Sequence, residues 1–263
     1  MGKRALSFFR LSRVHEDFRM KIVAIIEARM TSSRLPGKIL RPILGRPTLE
    51  LLIERLSRSE LIDSIVVATT DNSTDDLVEE LTKKLAVGCY RGSEGDVLDR
   101  VLKAAQAYDA DVIVEITGDC PLIDPMVIDQ MIGIYIRGRY DYVSNTLRQT
   151  YPNGLDSQIF SRKTLEEVAE LTQDPVDHEH VSLYIYEHPE RFTLFNLDSN
   201  LPKKYWGLRL TVDTIEDFEV IRSIYEELYP ENPSFSLTDV IGLLEKRPGL
   251  MDINRDIRQK QVR

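Results

Sequence analysis

KIVAIIEARMTSSRLPGK, residues 21–38, is the stretch whose reading decides the fold class of this chain. Its apolar run Ile22-Val23-Ala24-Ile25-Ile26 reads as a strand of the parallel-sheet kind, buried on both faces. The run empties into Ala28-Arg29-Met30-Thr31-Ser32-Ser33-Arg34-Leu35-Pro36-Gly37-Lys38, which holds three cations, three hydroxyls and a Pro-Gly turn where a helix would start. An open α/β sheet places its ligand crevice at the carboxyl ends of its strands. Cations and free backbone N–H groups there suit a polyphosphate, because both donate to phosphate oxygens and offset their charge. The segment is not a G-x-x-x-x-G-K-[ST] loop, since those glycines and the following hydroxyl are missing. A plain basic surface loop would carry the same residues.

Outward from this stretch, strand and helix patterns alternate. Helical periodicity marks residues 48–57, 74–85, 96–108 and 124–136, and buried strands are expected at 64–69, 87–90 and 111–116. Alternation of this kind predicts a three-layer α/β fold with a mostly parallel, Rossmann-like sheet. After about residue 140 the rhythm changes to a β-rich insertion. Strands are expected at 140–145, 158–161, 192–197 and 208–212, helices at 161–171 and 178–188, and a Pro-Asn-Gly turn at 152–154. A clear amphipathic helix follows at 215–229.

The 263 residues, 42% hydrophobic and 29% charged, have an ordinary globular composition. A net charge of −9 argues against a nucleic-acid binder. The cluster Arg29, Arg34, Lys38, Arg41 and Arg46 runs against that overall sign. Two cysteines, Cys89 and Cys120, support neither a disulfide framework nor a zinc site, so a reducing cytoplasm is expected. No apolar run reaches the length of a bilayer span, so no membrane partner is expected. Residues 1–19 have a basic start without a long apolar centre, and are read as a disordered extension.

Three further segments carry candidate chemistry. In Glu115-Ile116-Thr117-Gly118-Asp119-Cys120-Pro121, a strand ends at Thr117, Gly118 permits a tight turn, and Asp119 projects from the sheet's edge. Such a carboxylate beside a triphosphate suits Mg²⁺, a hard cation held by one or two carboxylates plus phosphate oxygens. It equally suits a residue that caps the next turn. In Arg209-Leu210-Thr211-Val212-Asp213-Thr214-Ile215-Glu216-Asp217, a second strand-end aspartate is followed at once by a helix. Asp213 could share a metal with Asp119, or Asp213 or Thr214 could be an N-cap with Glu216 or Asp217 completing a capping box. Arg91-Gly92-Ser93-Glu94-Gly95-Asp96 precedes a helix, where glycines would let the backbone approach a base or ribose, although a plain capped loop reads alike. His178 and His180 lack a third ligand at suitable spacing, which excludes zinc.

Taken together, ARMTSSRLPGK, VVATTD, RGSEGDVLDR, ITGDCPLID, DYVSNT, YPNGLD, EHV and TVDTIEDFEVI resemble the cytidylyltransferases that make CMP-activated sugars. The likeness is to the spore-coat-polysaccharide type, with the 3-deoxy-manno-octulosonate and acylneuraminate enzymes as relatives, and spans residue 20 to about 222. It implies a nucleotidyltransferase domain over 20–263. Within it, a nucleotide-binding part (20–139), an acceptor-binding part (140–212) and a C-terminal helical segment (213–263) follow in order. It implies a homodimer, and a Mg²⁺-dependent transfer of CMP from CTP to an acidic sugar or sugar phosphate. Arg29, Lys38 and Asp119 match catalytic positions, and Asp119 and Asp213 the metal-binding pair. Ala28, Arg29, Ser33, Arg34, Lys38, Thr70, Arg91, Gly92, Ser93, Asp96, Thr117 and Gly118 fall where such enzymes contact the nucleotide. Asn145, Tyr151, Gly154, Asp156, Gln158 and His180 fall on the acceptor side. Two positions depart from the pattern. The turn continues Leu155-Asp156-Ser157-Gln158 where relatives have Leu-Asp-Val-Glu, and Thr117 replaces the octulosonate enzymes' Gln. The alternative is a glycosyltransferase on a similar sheet, but Asp119 is followed by Cys120-Pro121 and makes no Asp-x-Asp motif.

Overall fold

The apolar run after Lys21 forms the central strand of the sheet because its alternate side chains are buried in two separate cores. In the computed structural model, which describes residues 20–259, Ile22, Ala24 and Ile26 face one core, and Val23 and Ile25 face the other. The expectation for residues 1–19 lies outside the described residues. In chain order the elements are β1 (Ile22–Glu27), β2 (Pro42–Ile43), β3 (Arg46–Pro47), α1 (Thr48–Leu56), β4 (Ser64–Thr70), α2 (Asp76–Leu85), β5 (Gly88–Gly92) and α3 (Val97–Ala107). Then come β6 (Val112–Thr117), α4 (Pro125–Arg137), β7 (Tyr142–Ser144), β8 (Gln158–Ser161), α5 (Arg162–Leu171), α6 (Pro175–Glu179) and α7 (Leu183–Glu187). The series closes with β9 (Leu194–Asn196), α8 (Ile215–Leu228) and α9 (Leu237–Lys246).

The sheet runs β5-β4-β1-β6-β8-β7-β9. β5, β4, β1 and β6 are parallel, whereas β8 lies antiparallel to both β6 and β7. Apolar side chains of α1, α2, α4, α8 and α9 fill one core, and those of α3, α5 and α7 fill the other. The result is the expected three-layer α/β fold, with the later strands added to the same sheet. The chain steps from β1 outward to β4 and β5, then returns to β6 on β1's other side. That reversal is a topological switch point, and it opens a crevice at the carboxyl ends of β1 and β6.

Several local readings change. β5 continues to Gly92, so Arg91 and Gly92 are strand residues paired with Thr69 and Thr70 rather than loop. The helix expected over 178–188 is split into α6 and α7, and Val181 between them adopts φ 40°. Residues 208–212 form no strand. They make one bridge, Asn153 to Arg209, and two backbone hydrogen bonds that hold the Pro-Asn-Gly turn. Helix α9, within the expected C-terminal helical segment, packs its Val240, Ile241 and Leu244 into the first core.

Two glycines are required. Gly118 donates to the Glu27 carbonyl at 2.8 Å, and a Cβ there would sit 2.9 Å from that oxygen. Gly154 has φ +98°, and a Cβ would overlap the backbone of Leu210. Gly154→Ala is therefore expected to lower unfolding free energy by about 2–4 kcal/mol, through overpacking and a strained φ. The urea midpoint at constant slope reads this out; a loss under about 0.5 kcal/mol would show that the turn tolerates a side chain.

Candidate active site

The loop after β1 is shaped by a buried carboxylate. Asp75, fully buried, accepts from the Met30 N–H at 2.8 Å, the Thr69 hydroxyl at 3.0 Å and the Thr70 N–H at 3.1 Å. Gly37 N–H closes the loop onto Met30 O at 2.9 Å, and Lys38 opens a 3₁₀ turn, Lys38–Leu40. Asp75 falls near the start of the helix expected over 74–85, yet it is a buried anchor.

Lys38 is the centre of the site. Its Nζ lies 2.6 Å from Asp119 Oδ2 and 3.0 Å from Asp213 Oδ1, joining residues 81 and 175 positions away in sequence. Asp119 stands just past β6, and its carbonyl accepts from Val212 N–H at 2.8 Å and from the Thr211 hydroxyl at 3.1 Å. These bonds pin the turn after β6 to the segment that leads into α8. Asp213 leads into α8, which opens with a capping box between Thr214 and Asp217. Burial disfavours charge on Lys38, but the two carboxylates, Asp119 ahead of Asp213, outweigh it and raise its pKa. Burial would raise the Asp119 carboxyl, and Lys38 more than reverses this, holding it below the usual range.

Two adjoining cavities meet at this triad. One, of about 310 Å³, is lined by Ala28, Arg29, Ser33, Arg34, Lys38 and Gly118, with Arg100 behind them. The other, of about 370 Å³, is lined by Asp156, Gln158, Ser182, Tyr186 and Thr211 among others. Glu27, Thr117, Asp119, His180 and Asp213 belong to both walls. Expected residues from the cation loop and from the later segment therefore face one connected space.

Other expected residues line neither cavity, because their groups are committed elsewhere. The Thr70 hydroxyl donates to Asp75 at 2.5 Å. Arg91 pairs with Asp76 at 2.6 Å and Glu79 at 3.0 Å and donates to the Thr70 and Asn72 carbonyls. Gly92 is packed in the sheet, and the Ser93 carbonyl accepts from Arg100. Asp96 caps α3 and meets His178 Nδ1 at 2.8 Å. Asn145 is buried, donating to Leu155 O at 2.8 Å and accepting from Ser157 N–H at 3.0 Å. Tyr151 is buried in the first core, and Gly154 packs on Leu210.

A family model for cytidylyltransferases matches residues 23–240. The chain belongs to the cytidylyltransferase family. Among its relatives, the spore coat polysaccharide biosynthesis protein SpsF of Bacillus subtilis is 36% identical over 86% of this chain and 95% of its own. A 3-deoxy-manno-octulosonate cytidylyltransferase of Geobacter metallireducens is 31% identical over 64% of this chain and 75% of its own. A solved cytidylyltransferase from Leptospira borgpetersenii superposes with a TM-score of 0.83 at 36% identity, covering 92% of this chain and all of that one.

Within this cytidylyltransferase, sequence reading missed a pair of carboxyl groups. Glu27 and Glu115, on adjacent central strands, line the cavity wall together. Burial raises both, Glu27 to about 6 and Glu115 well above its ordinary value, the latter helped by the Glu27 charge. Their signal was present: each interrupts an apolar strand that parallel packing would keep continuous.

Asp156 behaves alike, its ordinary 3.8 raised to about 6 chiefly by burial. Between those values the folded chain keeps a proton that the unfolded chain has lost, so this group's effect destabilises the fold as pH rises through that window. Asp156→Asn is accordingly expected to raise the melting temperature by a few degrees at pH 8 and to leave it unchanged near pH 4. Equal shifts at both pH values would remove ionisation as the cause.

Proposed function

We propose that this cytidylyltransferase transfers CMP from CTP to an acidic sugar or sugar phosphate, releasing pyrophosphate, with Mg²⁺ held by Asp119 and Asp213. The observation that carries the reading is Lys38: one ammonium bridging two carboxylates far apart in sequence, one just past β6 and one just before α8, beside a loop of cations. A pair of carboxylates that already converge on one positive charge, with only hard oxygen donors, fits a magnesium ion completed by phosphates and water. Mg²⁺ bound there would polarise the α-phosphate and offset charge that builds on its oxygens.

The chain's own groups do the rest. Arg29, Arg34 and Lys38 face the smaller cavity and would neutralise the triphosphate, above all the departing pyrophosphate. The flexible stem of Lys38 lets its ammonium turn from the aspartates to the phosphates once nucleotide is present. An oxygen of the acceptor, seated in the larger cavity near Asp156, Gln158 and His180, attacks the α-phosphorus in line, and where that oxygen belongs to a hydroxyl its proton passes to solvent. The bond from that phosphorus to the bridging oxygen breaks as the new one forms. Positioning and charge stabilisation supply the rate, since little covalent chemistry falls to the protein.

An acidic acceptor entering a cavity with Glu27, Glu115 and Asp156 requires that these groups not repel it. Glu115 meets that need best, since burial raises it well above its ordinary value and a protonated carboxyl donates a hydrogen bond to a carboxylate. Glu27 and Asp156, raised to about 6, do so only in mildly acidic solution. In this reading residues 20–139 hold the nucleotide, 140–212 the acceptor, and 213–259 support Asp213.

Pyrophosphate release over the four nucleoside triphosphates, crossed with a panel of acidic sugars, tests the proposal. CTP with at least one acidic sugar is expected to give release; none with any pair overturns it. Asp119→Asn is expected to keep its melting temperature within a few degrees and to lose about 100-fold or more in turnover. Wild-type release by that variant would take Asp119 out of the reaction.

A further inference from the structure

Asp213 is gripped from two sides. Lys38 meets Oδ1, while Oδ2 lies 3.0 Å from Arg34 and 3.1 Å from Arg209. The Arg34 side chain is 39% exposed and the Arg209 side chain only 5%. Arg209 also forks onto Asp217, Nη2 to Oδ2 at 3.0 Å and Nε to Oδ1 at 3.2 Å, and its Nη1 donates to Gln259 Oε1 at 2.6 Å. The buried Asn254 donates to Asp217 Oδ1 at 2.8 Å and to the Arg209 carbonyl at 3.0 Å. Asn254 and Gln259 both lie beyond the residues 23–240 that the family model matches.

We propose that Arg209 is a positioning residue, which fixes the Asp213 carboxylate so that Oδ1 faces Lys38 and the metal–nucleotide complex. The C-terminal segment, through Asn254 and Gln259, holds Arg209 in place. This rests on the reading of Asp213 as a metal ligand.

Three observations support it. First, capping α8 needs an oxygen at residue 217 to accept from the Thr214 N–H, and Asn would supply one; a full negative charge there answers the buried guanidinium. Second, a guanidinium bound through two nitrogens to Asp217 still has an N–H to spare for Asp213, a geometry that the compact ammonium of lysine cannot copy. Third, without Arg209 the buried carboxylates of Asp213 and Asp217 would face each other with only partial compensation, which favours rotation of Asp213 toward the exposed Arg34. Lys38 can then leave Oδ1 for a phosphate without freeing the carboxylate to turn.

The test uses Arg209→Lys, Gln259→Ala and Asp213→Asn in the full chain. Melting temperature, affinity for Mn²⁺ alone (by loss of the free-ion EPR signal), and turnover against KM for CTP are measured on each. Arg209→Lys is expected to bind Mn²⁺ about 10- to 100-fold more weakly, the size of effect seen when a metal ligand loses its outer support. Turnover should fall in step while KM for CTP moves by less than about threefold. Gln259→Ala, at an exposed residue that leaves the core intact, is expected to weaken Mn²⁺ about two- to fivefold at unchanged melting temperature. A folded Arg209→Lys with lower melting temperature but wild-type Mn²⁺ affinity and turnover would reduce Arg209 to a structural role. If that variant fails to fold, wild-type Mn²⁺ affinity in Gln259→Ala overturns the proposal. Wild-type affinity in Asp213→Asn would instead sink the metal reading beneath it.

Discussion

An ammonium group shared by two carboxylates, Lys38 between Asp119 and Asp213, is the constraint around which the site is arranged. Such a triad adds little to stability, because the desolvation of three charges nearly offsets their attraction. Its consequence is positional. It brings the loop after β1, the turn after β6 and the start of α8 to one point, and Val212 N–H on the Asp119 carbonyl locks the last two together. A cluster that is internally compensated yet open to a cavity can exchange its central cation for another without a large change in local charge.

The fold supplies the place. Because the chain reverses direction across the sheet between β5 and β6, the carboxyl ends of β1 and β6 stand side by side with no crossover covering them. Gly118 allows β6 to close against Glu27 at that edge, and Asp75 shapes the cation loop from below. Two cores of opposite alternation hold β1 rigid, so the residues following it have little freedom. The same crevice carries two electrostatic characters: cations on the side of the loop, and buried carboxyl groups of raised pKa on the side of β8.

Much of this was legible in the residues. The parallel half of the sheet followed from continuous apolar runs, and the cation loop and Asp119 followed from composition at strand ends, whereas Asp213 was singled out at the end of a strand that does not form. Of the two readings of Asp213's neighbourhood the capping box holds, formed by Thr214 and Asp217, and it leaves Asp213 facing the cavity. Long-range partnerships were not legible. Nothing local shows that Arg91 spends its guanidinium on Asp76 and Glu79, or that Asn145 is buried beneath the Pro-Asn-Gly turn. Residues 208–212 have strand composition, but their neighbours are a turn and the Asp119 loop, so no ladder forms. The Arg209–Asp217–Asn254 network joins segments that only tertiary folding brings together.

The central claim is that one metal–nucleotide complex replaces Lys38 between the two aspartates. A crystal structure of the chain soaked with CTP and Mn²⁺, with anomalous diffraction locating the metal, tests it most directly. The account predicts a manganese peak bonded to carboxylate oxygens of both Asp119 and Asp213, with Lys38 turned onto the triphosphate. A nucleotide bound elsewhere, with Lys38 still bridging the aspartates and no peak between them, would contradict it.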